Sequence, residues 1–142
     1  MTVKAILSEK GGNVLTVSPS ATLSDVARML TEHRIGAVVV SNDGKDVAGI
    51  MSERDIVKSI AREGAGVLEQ PVSSAMTTSV VLCGPGDTIN QVMEKMSSGR
   101  FRHVPIVDDG ALVGIISIGD VVKRRIEQAE HEAEEIRAYI SS

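Results

Sequence analysis

The chain has 142 residues, a hydrophobic fraction of 42% and a formal net charge of −4. That length suits one domain of common size or two small ones that share a core. Aromatic side chains are nearly absent, so base-stacking platforms for single-stranded nucleic acid are lacking, and the negative charge argues against non-specific binding to nucleic acid or anionic membranes. The single cysteine, the lack of a signal-peptide pattern and the short apolar runs predict a soluble cytoplasmic α/β protein.

The first half of the chain predicts the order β-α-β-β-α. Before it come a possible helical turn at residues 3–7 and a polar, Gly-rich loop at residues 8–13. Apolar periodicity, turn residues and β-branched runs then predict an extended run at 14–17, a helix from Thr22 to near Arg34, strands at 37–40 and 47–51, and a helix at 52–63. Thr22 and Asp25 form the pattern of a helix capping box.

The second half repeats this order about 65 residues later, a spacing too long for the usual solenoid units. Its predicted elements are an extended run at 80–82, a helix from Thr88, strands at 104–107 and 112–116, and a hairpin turn at Asp109-Gly110. We divide the chain into repeat 1 (residues 1–66), repeat 2 (67–126) and a C-terminal helical extension (127–142). The two sheets are expected to pack face to face about a pseudo-twofold axis.

A short motif, Gly-Ile-x-Ser-x-x-Asp, occurs in both halves at the predicted turn from the last strand into the last helix. It covers residues 49–55 and 114–120. A helix start has unpaired amide groups and the positive end of the dipole, so a phosphate or a sugar hydroxyl can bind there. The same pattern is also an ordinary capping box. The two roles are compatible, and repetition in matching frames favours a ligand role.

The twin motifs differ most at two neighbouring positions, where Glu53 and Arg54 of the first correspond to Ile118 and Gly119 of the second. Arg54 is either a phosphate ligand or a solvated arginine, whereas Gly119 allows close approach of the backbone. A basic cluster of Arg100, Arg102 and His103 lies near the second motif, as a phosphate or adenine contact or simply as surface charge. The two clefts are therefore expected to be unequal.

The C-terminal tail carries apolar residues at heptad-like spacing with Glu-rich flanks. The members of this seam are Val122, Ile126, Ala129, Ala133, Ile136 and Ile140. The helix either lies back on its own domain or forms a seam shared between two chains.

These pieces together resemble a tandem pair of CBS domains, the modules named after cystathionine β-synthase. The resemblance covers residues from about 3 to 126. In the first half it is carried by Val14, Pro19, Thr22-Leu23, residues 35–40 and the motif at 49–55; in the second half by Val80, Pro85, Thr88-Ile89, residues 102–107 and the motif at 114–120. It implies an α/β (α+β) module with two clefts that usually dimerises into a disc and binds adenosine-containing ligands.

The resemblance also implies which residues bind. In each cleft the motif Asp would hold the ribose hydroxyls, the motif Ser would lie near phosphate, and the start of the second strand would line the adenine pocket. The cleft-1 residues implied are Asn13, Val14, Ile35, Gly36, Ala37, Ser52, Arg54 and Asp55. The cleft-2 residues implied are Thr78, Val80, Arg102, His103, Val104, Pro105, Ser117, Gly119 and Asp120.

The sequence and the resemblance together predict a regulatory sensor of adenine nucleotides rather than an enzyme, because no nucleophile, metal cluster or acid–base pair stands out. AMP is the first ligand expected and NAD(H) the second, with S-adenosylmethionine and other adenosine compounds open. A homodimer and an unidentified regulated protein are the expected partners, without nucleic acid or membrane. The alternative is a structural dimerisation or adaptor protein with vestigial clefts.

Overall fold

The computed structural model describes residues 1–11 and 14–141, in which five α-helices and five strands occur. The helices are α1 (Val3–Lys10), α2 (Leu23–His33), α3 (Glu53–Glu63), α4 (Ile89–Gly99) and α5 (Ile118–Ser141). The strands are β1 (Thr16–Val17), β2 (Ala37–Val40), β3 (Gly49–Ser52), β4 (His103–Asp108) and β5 (Ala111–Ser117). Two short 3₁₀ turns, Ala65–Glu69 and Val72–Ser74, link the halves. The mixed helix-and-strand repeat predicted from the sequence is confirmed.

The starts of the helices follow the capping patterns in the sequence. The Thr22 hydroxyl accepts from the amide of Asp25, while the Asp25 carboxylate accepts from the amide of Thr22. Thr88 and Gln91 form the same box at α4. Because these side chains satisfy amides that have no partner within the helix, α2 and α4 begin at matching positions in the two repeats.

The N-terminal helix is longer than the sequence prediction. Residues 8–10, predicted as loop, complete α1 to Lys10, and Gly11 follows with a positive φ of 89°. The predicted turn at residues 3–7 ended the helix too early, because Gly11 is the residue that stops it. This difference matters for the site, since Lys10 lies in it.

The two sheets differ in their first strand. In one sheet β1 pairs with β2 in parallel and β2 pairs with β3 antiparallel; the other sheet holds only the antiparallel pair β4 and β5. The extended run predicted at residues 80–82 is not a strand in the described chain. The next residue, Cys83, forms a parallel bridge to Ile106, and a turn closed by the amide of Asp87 and the carbonyl of Gly84 follows it directly.

The two hairpins also differ in their turns. Asp109 and Gly110 both have positive φ and join β4 to β5 in a two-residue turn, as the sequence predicts. The first hairpin has a longer loop, in which the Asp46 carboxylate accepts from the Ser41 hydroxyl and the Asn42 amide. These hydrogen bonds lower the pKa of Asp46. Strand β3 consequently begins at Gly49, two residues later than predicted.

Each half completes its hydrophobic core with a segment from outside its own repeat. Val3 and Ile6 of α1 are buried with the side chains of α4, β4 and β5. Val67 and Val72 of the link are buried with those of α2, β2 and β3. Backbone hydrogen bonds hold both segments in matching ways, from Val3 to Asp87 and from Val72 to Ala21. The two cores are therefore interlocked by exchanged connectors.

The first glycine of each twin motif makes room for such a connector. A methyl group at Gly49 would lie 2.6 Å from the sulfur of Met76 and 2.8 Å from the carbonyl oxygen of Thr77. A methyl group at Gly114 would overlap the side chain of Leu7. Neither glycine has a positive φ, so close packing and not backbone conformation requires glycine there.

The second face of each sheet is buried as well. Val39 in β2 is fully buried, although it belongs to neither hydrophobic core, and Pro105 in β4 is also buried. The halves touch through the amide of Leu112, which donates to the carbonyl oxygen of Lys45 at 2.8 Å. Burial on both faces agrees with the predicted packing of sheet against sheet. No helix in residues 1–11 and 14–141 is long and apolar enough to cross a membrane.

Candidate functional site

The twin turns have nearly identical hydrogen bonds. In the first, Oδ2 of Asp55 accepts from the amide and the hydroxyl of Ser52, both at 2.9 Å. In the second, Oδ2 of Asp120 accepts from the amide and the hydroxyl of Ser117 at 2.9 and 3.0 Å. The capping role considered from the sequence is therefore present at both turns.

The second turn opens into a cavity of about 550 Å³. Ser117, Gly119 and Asp120 line one side of it. The loop before β2 and the start of β2 line the other side, through Arg34, Ile35, Gly36 and Ala37. The cavity therefore joins the strand start of one repeat to the helix start of the other.

This grouping differs from the division into two clefts made on the sequence. Ile35, Gly36 and Ala37, assigned to cleft 1, share the cavity with Arg102, His103 and Asp120, assigned to cleft 2. The repeat pattern shows which positions are equivalent but not which of them meet across the interface between the halves. Residues of both repeats therefore line the cavity around Asp120.

Other predicted residues lie outside this cavity. Val104 and Pro105 are buried within β4, and Thr78 and Val80 are joined by a tight turn in which the Val80 amide donates to the Thr78 carbonyl at 3.0 Å. Val14 is half-buried, and its neighbour Leu15 lines the cavity instead. Asn13 lies outside the described residues.

The remaining cleft-1 residues separate from one another. Ser52 and Asp55 line neither this cavity nor a smaller one of about 390 Å³. Arg54 lines the smaller cavity together with Arg100 and Arg102. Arg102 and Ile118 line both cavities, so the two spaces adjoin. The basic cluster expected from the sequence thus gathers a third arginine from the other repeat.

Lys10 is a site residue that the sequence prediction missed. Its ammonium group donates to Oδ2 of Asp120 at 2.7 Å and to the carbonyl oxygen of Ile115 at 3.0 Å. Burial alone would raise the pKa of Asp120, but hydrogen bonds from Lys10 and Ser117 outweigh it and lower that pKa. Recognising Gly11 as a helix stop would have placed Lys10 in the last turn of α1, but its position beside Asp120 also depends on the packing of α1 in the core of repeat 2.

His103 of repeat 2 lies against Gly36 of repeat 1. A methyl group at Gly36 would be only 3.0 Å from Nε2 of His103, so Gly36 leaves the space that the imidazole ring occupies. Burial lowers the pKa of His103, although the nearby carboxylate of Glu53 opposes this change. The ring is therefore held in its neutral form at neutral pH, as a hydrogen-bonding group and not as a cation.

Two interlocked α+β repeats around an interface cavity define the class: a tandem-repeat module. Residues 3–62 and 72–127 each match the CBS domain family, and the chain belongs to the CBS-domain proteins. The crystal structure of the CBS-domain containing protein ATU1752 from Agrobacterium tumefaciens is similar, with 51% identity, a TM-score of 0.85, and coverage of 88% of this chain and 99% of that one. The resemblance suggested by the sequence is confirmed.

Two further relatives extend the comparison. The mitochondrial CBS domain-containing protein CBSX3 of Arabidopsis thaliana is 30% identical over 98% of this chain and 71% of its own length. The CBS domain protein PAE2072 from Pyrobaculum aerophilum, solved in complex with AMP, is 28% identical with a TM-score of 0.75, over 84% of this chain and 89% of that one.

Proposed function

We propose that this chain is a regulatory module that binds an adenine nucleotide, AMP first and NAD(H) second, in the cavity at Asp120. The observation that carries the proposal is the composition of that cavity, which joins a carboxylate at a helix start, an apolar strand start and several cations. Its volume of about 550 Å³ lies within the usual range for small-molecule sites. AMP bound to the relative PAE2072 supports the choice of ligand.

Asp120 is suited to bind the ribose. Its Oδ2 accepts from Ser117 and Lys10, while Oδ1 accepts no hydrogen bond from the described part of the chain. A carboxylate has lone pairs enough to accept from both hydroxyls of a cis-diol, and such charge-assisted bonds are strong. The low pKa of Asp120 keeps it ionised at neutral pH for this role.

The charge of the cavity supports an anionic ligand. Lys10, Arg34 and Arg102 line it against the single carboxylate of Asp120, although the whole chain has a net charge of −4. This local excess of positive charge suits a phosphate and favours AMP over S-adenosylmethionine, whose sulfonium group is a cation. Backbone groups of residues 35–37, beside apolar neighbours such as Leu15 and Ile118, offer a slot for adenine.

The adjoining smaller cavity is the reason for NAD(H) as the second choice. Because Arg102 and Ile118 line both cavities, a dinucleotide bound at Asp120 can extend toward Arg54 and Arg100. The second part of the proposal is a separate ligand site in cleft 1, formed by Ser52, Asp55 and the segment that ends at Val14. The two clefts would then bind with different affinities.

Under this proposal the chain has no catalytic role and acts in the cytoplasm through its dimer or a regulated protein. A ligand shifts such a module only through different affinities for two arrangements of the cleft. The cavity contains surfaces from both repeats, so a ligand there would favour one relative placement of the halves. A partner protein that binds one placement of the halves more tightly than the other would then respond to the ligand.

Thermal unfolding with AMP, ADP, ATP, NAD⁺, NADH and S-adenosylmethionine tests the proposal. A ligand at 100 times its dissociation constant adds about 2.7 kcal/mol of stability. For a domain of this size that is roughly a 10 °C rise in Tm. We expect the largest rise at equal concentration with AMP and a smaller one with S-adenosylmethionine. No rise with any of the six compounds would instead favour the adaptor with vestigial clefts.

A further inference from the structure

Helix α5 presents an uncovered apolar stripe along most of its length. The stripe alternates steps of four and three residues, the spacing of a coiled-coil seam. The exposed fractions of its large members are 44% for Val122, 53% for Ile126, 61% for Ile136 and 75% for Ile140. In the described residues this apolar stripe is therefore not packed against its own domain.

The helix leaves the rest of the molecule soon after its second turn. Arg124 is the last buried residue in it, 7% exposed, and it forms an ion pair with Glu9 of α1. Beyond Arg124 the described helix runs for four more turns to Ser141 without a buried side chain. Ala129 and Ala133, in the middle of the stripe, are small enough for a second helix to approach closely.

The charges beside the stripe indicate what covers it. In heptad terms, Ile126, Ala133 and Ile140 take position a, and Arg125 and Glu132 take the preceding position g. Glu130 and Arg137 take position e, which follows the other seam residues. In a parallel, in-register pair each g residue faces the e residue five places further along the partner helix. Both contacts, Arg125 with Glu130 and Glu132 with Arg137, then join opposite charges.

An antiparallel pair gives the opposite result. The register that buries all six seam residues sets Glu130 against its own copy, Glu132 against its own copy and Lys123 against Arg137. Each contact then joins like charges. Within the described residues of one chain, none of Arg125, Glu130, Glu132 and Arg137 forms an ion pair, so all four remain available to a partner helix.

We propose that residues 122–140 form a parallel, in-register, two-stranded coiled coil with a second copy of this chain. The twofold axis then runs along α5, and both ligand-binding modules lie at the same end of the coil. This deepens the dimer of the proposed function but uses no residue of the ligand cavity. Its failure in cross-linking is therefore distinguishable from a failure of nucleotide binding in thermal unfolding.

Disulfide cross-linking through one cysteine introduced into the full chain tests the orientation of the two α5 helices. Val122→Cys and Ile140→Cys are made separately, and the wild type is the control because its one cysteine, Cys83, is buried. In the parallel pair each new cysteine faces its own copy, so each variant alone forms a disulfide-linked dimer under mild oxidation. In the antiparallel register, residue 122 faces residue 140, and identical residues lie about 27 Å apart along the helix, far beyond disulfide reach.

The outcomes are distinct. A linked dimer from each variant alone supports the parallel coil. A linked dimer only from the mixture of the two variants overturns the parallel orientation. If neither the single variants nor the mixture link, the coil itself is overturned, and the stripe then serves a different protein.

Charge reversal gives a second, independent measurement. Arg125→Glu sets a glutamate against Glu130 of the partner helix at two symmetric places, and the dimer dissociation constant in sedimentation equilibrium should rise about tenfold. The double variant Arg125→Glu/Glu130→Arg reverses both charges and should restore dimerisation. A single variant that dimerises like the wild type, or a double variant that fails to restore it, would contradict the pairing of these residues.

Discussion

The two Ser-x-x-Asp turns of this protein have the same internal geometry and different surroundings. In both, the Asp amide donates to the Ser hydroxyl at 3.2 Å while the Asp carboxylate accepts from the Ser amide at 2.9 Å. In the part of the chain that the structure describes, the second turn also has the ammonium group of Lys10 on its carboxylate and lines a cavity of about 550 Å³. The motif therefore specifies a helix start, whereas the contact to the carboxylate of Asp120 and much of the cavity wall come from residues of the other half.

The largest expected effect separates the two carboxylates. Asp120→Asn should abolish most of the roughly 2.7 kcal/mol that AMP adds at 100 times its dissociation constant, because the charged acceptor for the ribose is lost. Asp55→Asn weakens the matching capping bonds outside the cavity, so it should keep the stabilisation that comes from the Asp120 cavity and lose only the part that comes from the proposed second site. Thermal unfolding of both variants with and without AMP measures the difference.

Asp25→Asn is the matched control, since it weakens the capping box of α2 and Asp25 lines neither cavity. It should lower the Tm without changing the rise caused by AMP. Calorimetric titration of Asp55→Asn tests the proposed second site, which requires the stoichiometry to fall from two to one. If Asp120→Asn retained the full AMP response, Asp120 would not be the ribose ligand.

The local features of the fold were predictable from the sequence. Capping at Thr22, Ser52 and Ser117 and the turn at Asp109-Gly110 depend on neighbouring residues, and all four appear in the structure. The duplication also showed that the chain has two equivalent halves. These features depend on local hydrogen bonding and backbone conformation, which a single sequence contains.

A second comparison concerns the glycines that admit the exchanged connectors. Gly49→Ala should destabilise the protein by about 2 kcal/mol, because the new methyl group meets the carbonyl oxygen of Thr77, which is fixed by a hydrogen bond from Ile50. Gly114→Ala should cost less than about 1 kcal/mol, because it meets only the end of the flexible Leu7 side chain. Urea unfolding measures the free energy of unfolding of both variants. Equal decreases would contradict this difference, because they would show that the backbone at Thr77 adjusts as easily as the Leu7 side chain.

The site itself was less predictable than the fold. Placing Lys10 on Asp120 requires the full length of α1 and its exchange into the second core, and neither follows from periodicity. Joining Gly36 to His103 requires the relative placement of two repeats, which depends on packing between distant residues. The sequence therefore supported assigning the candidate residues to one cleft per repeat, because no local pattern shows which residues of the two repeats meet.

The smallest expected effect concerns pH and the interface between the halves. Burial lowers the pKa of His103 in the folded protein, so the unfolded chain binds the proton more readily. Stability should therefore fall as the pH drops below about 6.5, the usual value for histidine, toward the lower folded pKa. His103→Gln should flatten this dependence in urea unfolding at pH 7.5 and 5.5. An unchanged pH dependence would place its origin in other groups, with His33→Gln as the exposed control.

The exchanged connectors have a consequence for the ancestry of the chain. Val3 and Ile6 complete the core of the later repeat, and Val67 and Val72 that of the earlier one. A polypeptide of one such repeat would lack the segment that fills its core here, and reciprocal exchange of that segment between two molecules would supply it. The fused chain thus preserves, inside one polypeptide, the contacts of a domain-swapped pair, and neither repeat should survive excision as an autonomous folding unit.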